Sequence, residues 1–201
     1  MAYTYIIDKR KINIEDVLNN SSNFRKDKYN YYKNQENKFE CLAATYLIDY
    51  GLKKYGLREQ DMSYGIGKNG KPYFINHSEI KFSISHSKNM AMVAMSDYDI
   101  GCDIQFVKRI DEDIYDKVLL DNEKKEILQI DNINLRMDKF FEYWVMKEAK
   151  LKKSGKGLSN DISSIDIEHM KVYSYTLKDV NEKYKYCISS VDNEDIFIKI
   201  L

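Results

Sequence analysis

Three observations predict an α+β fold. Residues 36–50 and 137–158 carry apolar side chains at helical spacing, and short runs of alternating polarity gather at 80–105 and again at 172–201. The order helix, then strands, also recurs loosely in the two halves of the chain. Each half therefore reads as a small antiparallel sheet packed on a helix, with the division at 1–100 and 101–201.

The balance of 32 Lys plus Arg against 32 Asp plus Glu gives zero net charge. That offers no general attraction to nucleic acid or to an anionic membrane, so any anion site must be a local cluster. Cys41, Cys102 and Cys187 are scattered, which suits a reducing cytoplasm better than a disulfide framework and makes no metal motif. The opening MAYTYIIDKRKINIED reaches charge too soon for a signal peptide, and no apolar run approaches the roughly 20 residues of a membrane span. A cytoplasmic, monomeric protein without nucleic-acid or membrane partners is expected.

Residues 3–7, YTYII, predict an opening strand. The tyrosine-rich segment that follows carries Arg25, Lys26, Lys28 and Lys33, and its plain reading is a solvated helix face. From Glu36 to Tyr50 a helix places Phe39, Leu42, Ala43, Tyr46, Leu47 and Tyr50 on one core-facing stripe, with Gly51 positioned to end it. Asn69-Gly70 favours a tight turn and Pro72 an extended exit. This lysine-bearing loop lacks both the Walker A spacing and the dinucleotide fingerprint, so an ordinary turn explains it.

IKFSIS (80–85) alternates as a half-buried strand; MAMVAM (90–95) and DIGCDIQ (99–105) follow as the second and third strands of a meander. His86 reads as a surface or capping histidine, whereas Asp103 opposes β propensity within an apolar strand and needs a partner, either a metal or a backbone turn. Between Phe106 and Asn134, one short helical pattern is marked by Ile110, Ile114 and Val118. A second carries Glu123 and Glu126 with Asp121 as its cap. Strands at 172–177 and 184–191, with 195–201 as a third, close the chain.

The segment Met137–Leu158 is the most informative. Met137, Phe140, Phe141, Trp144, Val145 and Leu151 form an apolar stripe, and at roughly 100° per residue Glu148 falls inside it, with Lys152 one turn on. A carboxylate on a buried face is costly unless a cation meets it. A structural ion pair, a metal or a substrate would each answer.

Four segments stand in order: Gly70-Lys71-Pro72; Phe82-Ser83-Ile84-Ser85-His86-Ser87; Gly101-Cys102-Asp103-Ile104-Gln105; and Trp144 to Lys152 with Gly155-Lys156-Gly157-Leu158. Together they resemble the 4′-phosphopantetheinyl transferases of the Sfp type, whose patterns run GKP, ISHS, G-[IV]-D-[IV]-E and W-x-x-K-E-[SA]-x-x-K-x-x-G-x-G-L. The resemblance implies two related α+β subdomains with coenzyme A in the cleft between them. It also implies Mg²⁺-dependent (or Mn²⁺-dependent) transfer of phosphopantetheine from coenzyme A to a serine of an apo acyl or peptidyl carrier protein.

By position it implies Asp103 and Glu148 as metal ligands, with Gln105 at a third ligand position, and Lys152 as the cation on the phosphates. Lys147 matches a second lysine beside the ligand. Gly70, Lys71 and Pro72 match the nucleotide loop, and Ser85 and His86 a phosphate-contacting pair. Arg25 and Lys28 fall where basic residues meet the 3′-phosphate, and Glu123 where an acid helps deprotonate the acceptor serine. Lys150, Lys153 and Lys156 would attract an acidic carrier. Two positions depart from the pattern. Gln105 replaces a carboxylate, and Glu40 stands where an arginine is usual, with Lys38 nearby. A catalytically degenerate module that binds coenzyme A or a carrier is the rival reading.

Overall fold

The computed structural model describes residues 1–157 and 162–201. It is a mixed α/β structure with two principal sheets. The first has strand order β4-β5-β1-β9, formed by β1 (Ala2–Asp8), β4 (Lys81–Ser87), β5 (Met90–Ser96) and β9 (Ile196–Ile200). The second has order β6-β8-β7, from β6 (Gly101–Phe106), β7 (Val172–Leu177) and β8 (Glu182–Ser189). A small hairpin joins β2 (Tyr64–Ile66) to β3 (Pro72–Phe74). Among the described residues no helix is long and apolar enough to cross a membrane.

Two helices sandwich the sheets. Helix α3 (Gln35–Leu52) packs Ala43, Leu47, Ile48 and Leu52 with Tyr5, Phe82 and Val93 of the first sheet. The other face of that sheet contributes Ile6, Met92 and Ala94 to a second core, shared with Cys102, Ile104, Tyr184 and Ile188 of the second sheet. On the far side of the second sheet lies α6 (Ile133–Ser154), where Val145 and Ala149 meet Cys187. The N-terminal half of α6 packs Phe140 and Phe141 with Tyr115, Val118 and Ile127, from α4 (Tyr115–Val118) and α5 (Asp121–Leu128). Helices α1 (Ile14–Asn19) and α2 (Asn23–Tyr31) complete the first half.

The expected meander stops after two strands. β5 is central, paired with β4 on one edge and β1 on the other (Tyr5↔Val93), so no edge is left for β6. Instead β6 pairs with β8 and begins the second sheet (Asp103↔Cys187). The final strand also changes sheet. β9 leaves its neighbours in sequence and pairs in parallel with β1 (Thr4↔Ile198). Gly51 does not end α3. It is buried within the helix, because a Cβ there would lie 2.6 Å from the Met95 sulfur. Asp121 is the first residue of α5 and not its cap; the Glu123 carboxylate, one turn in, accepts from the Leu120 backbone N–H at 2.8 Å.

The two sheets are joined at their edges by side chains. Ser83, Ser85 and Ser87 lie on one face of β4, and their hydroxyl oxygens accept from the N–H groups of Cys102, Ile104 and Phe106 at 3.1, 3.2 and 3.0 Å. These are alternate residues of β6, whose other edge is taken by β8. A row of hydroxyls thus stands where a neighbouring strand's carbonyls would be.

At the start of β6, Gly101 touches the backbone of α6. A Cβ built there would sit 1.9 Å from the Ala149 carbonyl oxygen and 2.3 Å from the Lys153 nitrogen. Backbone atoms of a packed helix cannot retreat as a side chain can. Gly101→Ala is expected to cost about 3 kcal/mol, the upper end of overpacking penalties. The check is a lowered urea midpoint at unchanged m-value.

Candidate active site

Asp103 and Glu148 are brought together by the β6–α6 contact. Asp103 points from β6 toward α6, and Glu148 points back from the apolar stripe; the two residues are 1% and 6% exposed. Lys152, one helical turn beyond Glu148, places its Nζ 2.6 Å from Asp103 Oδ1 and 3.0 Å from Ser85 Oγ. Ser85 donates to the same carboxylate oxygen at 2.7 Å. On the other oxygen, Gln105 Nε2 donates at 3.2 Å, while Gln105 Oε1 accepts from Ser87 Oγ at 3.3 Å. Asp103 is therefore met by a cation and a hydroxyl on one oxygen and by a single amide on the other.

Glu148 is the opposite case. Among the described residues its carboxylate makes no hydrogen bond or ion pair, and it faces a cleft of roughly 270 Å³ walled by Gly70, Pro72, Phe82, Ile84 and Lys152. Burial raises its pKa from 4.5 to about 7, and the Asp103 charge adds to the rise against the opposing pull of Lys152. The same surroundings raise the Lys152 pKa: burial opposes its charge most strongly, but Asp103, Cys102 and Glu148 together outweigh the burial.

Several expected residues belong to other clusters. Lys147, adjacent to Glu148 in sequence, points the other way and is fully buried. Its Nζ donates to Glu123 Oε2 at 2.6 Å, Ser163 O at 2.8 Å and Val118 O at 2.9 Å. Glu123 is consequently spent on Lys147 and on the Leu120 N–H, and it does not join Asp103 and Glu148. Lys71 lines the cleft, yet its ammonium donates to the carbonyls of Lys152, Ile100 and Lys153 at 2.7, 2.9 and 3.4 Å, and burial lowers its pKa. Ser85 is 4% exposed and committed to Asp103, so its hydroxyl is a bracket for the carboxylate.

Of the upstream basic residues, Lys33 is exposed but Arg25 is not on a solvated face. Arg25 is 2% exposed, with its guanidinium 4.9 Å from the Tyr64 ring centre and 3.9 Å from Glu59, itself fully buried. Lys28 is half-buried, and its pKa is lowered by burial and then by Arg25. Glu40 and His86 meet: His86 Nδ1 is 3.1 Å from Glu40 Oε1, and Lys9 Nζ is 3.4 Å from the same atom. Burial alone would raise the Glu40 pKa, but His86 and Lys9 hold it below the usual value. The end of the last motif, Leu158, lies outside the described residues. The preceding Gly155 and Gly157 take left-handed φ values of 65° and 73°, which suits glycine.

Sequence reasoning missed Ser83 and Ser87 as bridging groups, although their period-2 spacing with Ser85 was visible in IKFSISHS. It also missed Glu59, which has no local signal.

Glu148 supplies a pH test. A carboxyl whose folded pKa lies above its unfolded value binds more protons folded than unfolded, so stability falls as pH rises through that window. Between pH 4.5 and about 7 the metal-free protein should lose stability, on the order of 2 kcal/mol, that Glu148→Gln retains. Thermal unfolding of both proteins across that range reads the difference.

Residues 99–199, from just before β6 into β9, match the family model of the 4′-phosphopantetheinyl transferase superfamily. A 4′-phosphopantetheinyl transferase of Bacillus subtilis is 31% identical over 144 residues, 71% of this chain and 64% of that protein. Another, from Aneurinibacillus migulanus, is 30% identical over 152 residues, 74% of this chain and 63% of that protein. The L-aminoadipate-semialdehyde dehydrogenase-phosphopantetheinyl transferase of Candida glabrata is 29% identical over 172 residues, covering 72% and 66%. The chain thus spans under two thirds of the length of these relatives. The matched region contains Asp103, Glu148 and Lys152, whose convergence follows from packing alone, and the chain belongs to the 4′-phosphopantetheinyl transferase superfamily.

Proposed function

We propose that the chain transfers the 4′-phosphopantetheine group of coenzyme A to a serine of an apo acyl or peptidyl carrier protein, releasing adenosine 3′,5′-bisphosphate. One observation carries this reading: Glu148, a carboxylate unpaired among the described residues, opens on a cleft that Lys152 also lines, with Lys152 ion-paired to the buried Asp103 behind it. In the reaction the serine oxygen forms a bond to the β-phosphorus, the pyrophosphate P–O bond breaks, and the serine proton passes to a base. In the cation-free cleft Glu148, with its pKa pushed to about 7, suits that proton, because a base works best near the operating pH. Glu123 is held by Lys147 and is not available for it.

The donor set also fits a hard divalent cation. Glu148 has unused oxygens beside a second buried carboxylate, and Gln105 can turn its amide oxygen toward Asp103's neighbourhood. Asp103, Glu148 and Gln105 would hold Mg²⁺ or Mn²⁺, which when bound neutralises charge on the pyrophosphate. Lys152, already at the cleft, adds a fixed ammonium to the same charge. A cation held there would lower the Glu148 pKa, which burial and then Asp103 raise, so in that state Glu148 would serve as a ligand and not as the base.

The reading treats residues 1–100 and 101–201 as related subdomains with coenzyme A between them. A helix on the outer face of each sheet supports it, and β9 is the element that departs from it. An acidic carrier surface would meet the exposed Lys156 near the site; Lys150 is held by Asp166 and Lys153 by the Ser190 carbonyl.

Incubation with coenzyme A, Mg²⁺ and a panel of apo carriers should add a pantetheine-sized mass to at least one of them. Coenzyme A binding without that mass would mark a degenerate module. Asp103→Ala and Glu148→Ala should each remove most of the transfer while leaving the fold intact by circular dichroism. Gln105→Glu should lower the Mg²⁺ concentration needed for the half-maximal rate; an unchanged requirement would put residue 105 away from the metal.

A further inference from the structure

We infer that Lys71 is a positioning residue for Lys152: its ammonium caps the last turn of α6 from the other half of the chain. Helix ends leave their final carbonyls without intrahelical partners. In α6 those carbonyls are answered by the loop between β2 and β3. Lys71 Nζ donates to the carbonyls of Lys152 at 2.7 Å and Lys153 at 3.4 Å, and Asn69 Nδ2 donates to that of Gly155 at 2.9 Å. The same ammonium donates to the Ile100 carbonyl at 2.9 Å, immediately before β6. One cation therefore ties together the loop, the entry to β6 and the end of α6. A cation is also the charge that the negative end of a helix favours.

The geometry makes this clamp specific to Lys152. Its carbonyl is held by Lys71, and its side chain reaches Asp103 at 2.6 Å. Beside the Ile100 carbonyl, Gly101 presses on the same turn, with room for no Cβ against Ala149 and Lys153. Asn69 also closes over Gly157, where a Cβ would lie 3.0 Å from its own. The backbone of Lys152 is fixed between these contacts before any ligand arrives. Three convergent carbonyls use up the donors of an ammonium, so Lys71 has none left for a nucleotide.

The kinetic arm of the test rests on the transfer reading; the spectroscopic arm does not. In nitrogen-15 lysine spectra the Lys152 ammonium signal, identified by its loss in Lys152→Met, should shift in Lys71→Met. The transfer rate constant should fall roughly 10- to 100-fold in Lys71→Met, the cost of a small misplacement. In the Lys152→Met background Lys71→Met should cause no further loss. Asn69→Ala, at an exposed position, should give a smaller change of the same pattern and serves if Lys71→Met does not fold. An unmoved Lys152 signal overturns the inference. So do multiplicative losses in the double variant, or an effect confined to the KM for coenzyme A. If the unaltered protein transfers nothing, the transfer reading fails alone, and the Lys152 signal still decides the role of Lys71.

Discussion

The arrangement of the site depends on three serine hydroxyls. Without Ser83, Ser85 and Ser87, the outward N–H groups of β6 would face the edge of β4 with nothing to receive them. Each buried donor left unmade costs about 1–3 kcal/mol, so the row matters to stability. Its larger effect is positional. The hydroxyls fix the register of β4 against β6, and only in that register does Ser85 lie beside Asp103 and Ser87 beside Gln105. Ser85 both accepts from the β6 backbone and donates to the β6 carboxylate, so the joint between sheets and the site share an atom.

Helix α6 divides its charged residues between two environments. Successive residues on a helix diverge by about 100°, so Lys147 and Glu148 cannot serve the same cluster. Lys147 enters the α4–α5 side, where Glu123 and two carbonyls fully compensate a buried ammonium. Glu148 enters the cleft and, among the described residues, has no hydrogen bond or ion pair, only the more distant pull of Lys152. A fully paired ion is the structural one, because removing either partner strands a charge. The unpaired one stores unfavourable energy that a cation can release.

Much of this was legible in the residues. The stripe from Met137 to Leu151 located α6 and isolated Glu148, since helical periodicity is a local property. Asp103 stood out for the same kind of reason. Sheet membership was not legible, because which strand lies beside which depends on partners far away in sequence. β6 and β9 were recognised as strands and assigned to the wrong neighbours. The role of the β4 serines in joining the sheets was not legible, since alternation shows that two faces differ without showing what covers the polar one. Arg25 was read as solvated, because its partner Glu59 is more than thirty residues away.

The parallel pairing of β9 with β1 also has a consequence for how the molecule assembles. The first sheet gains its last strand from residues 196–200, while β1 at residues 2–8 already pairs with β5. Contacts spanning nearly the whole chain close large loops and slow the search for the native state. During synthesis the outer edge of β1 stays open until β9 emerges. The open edge is a template for pairing with other chains, so the interval before β9 pairs is the one in which the first sheet is most exposed to misassociation.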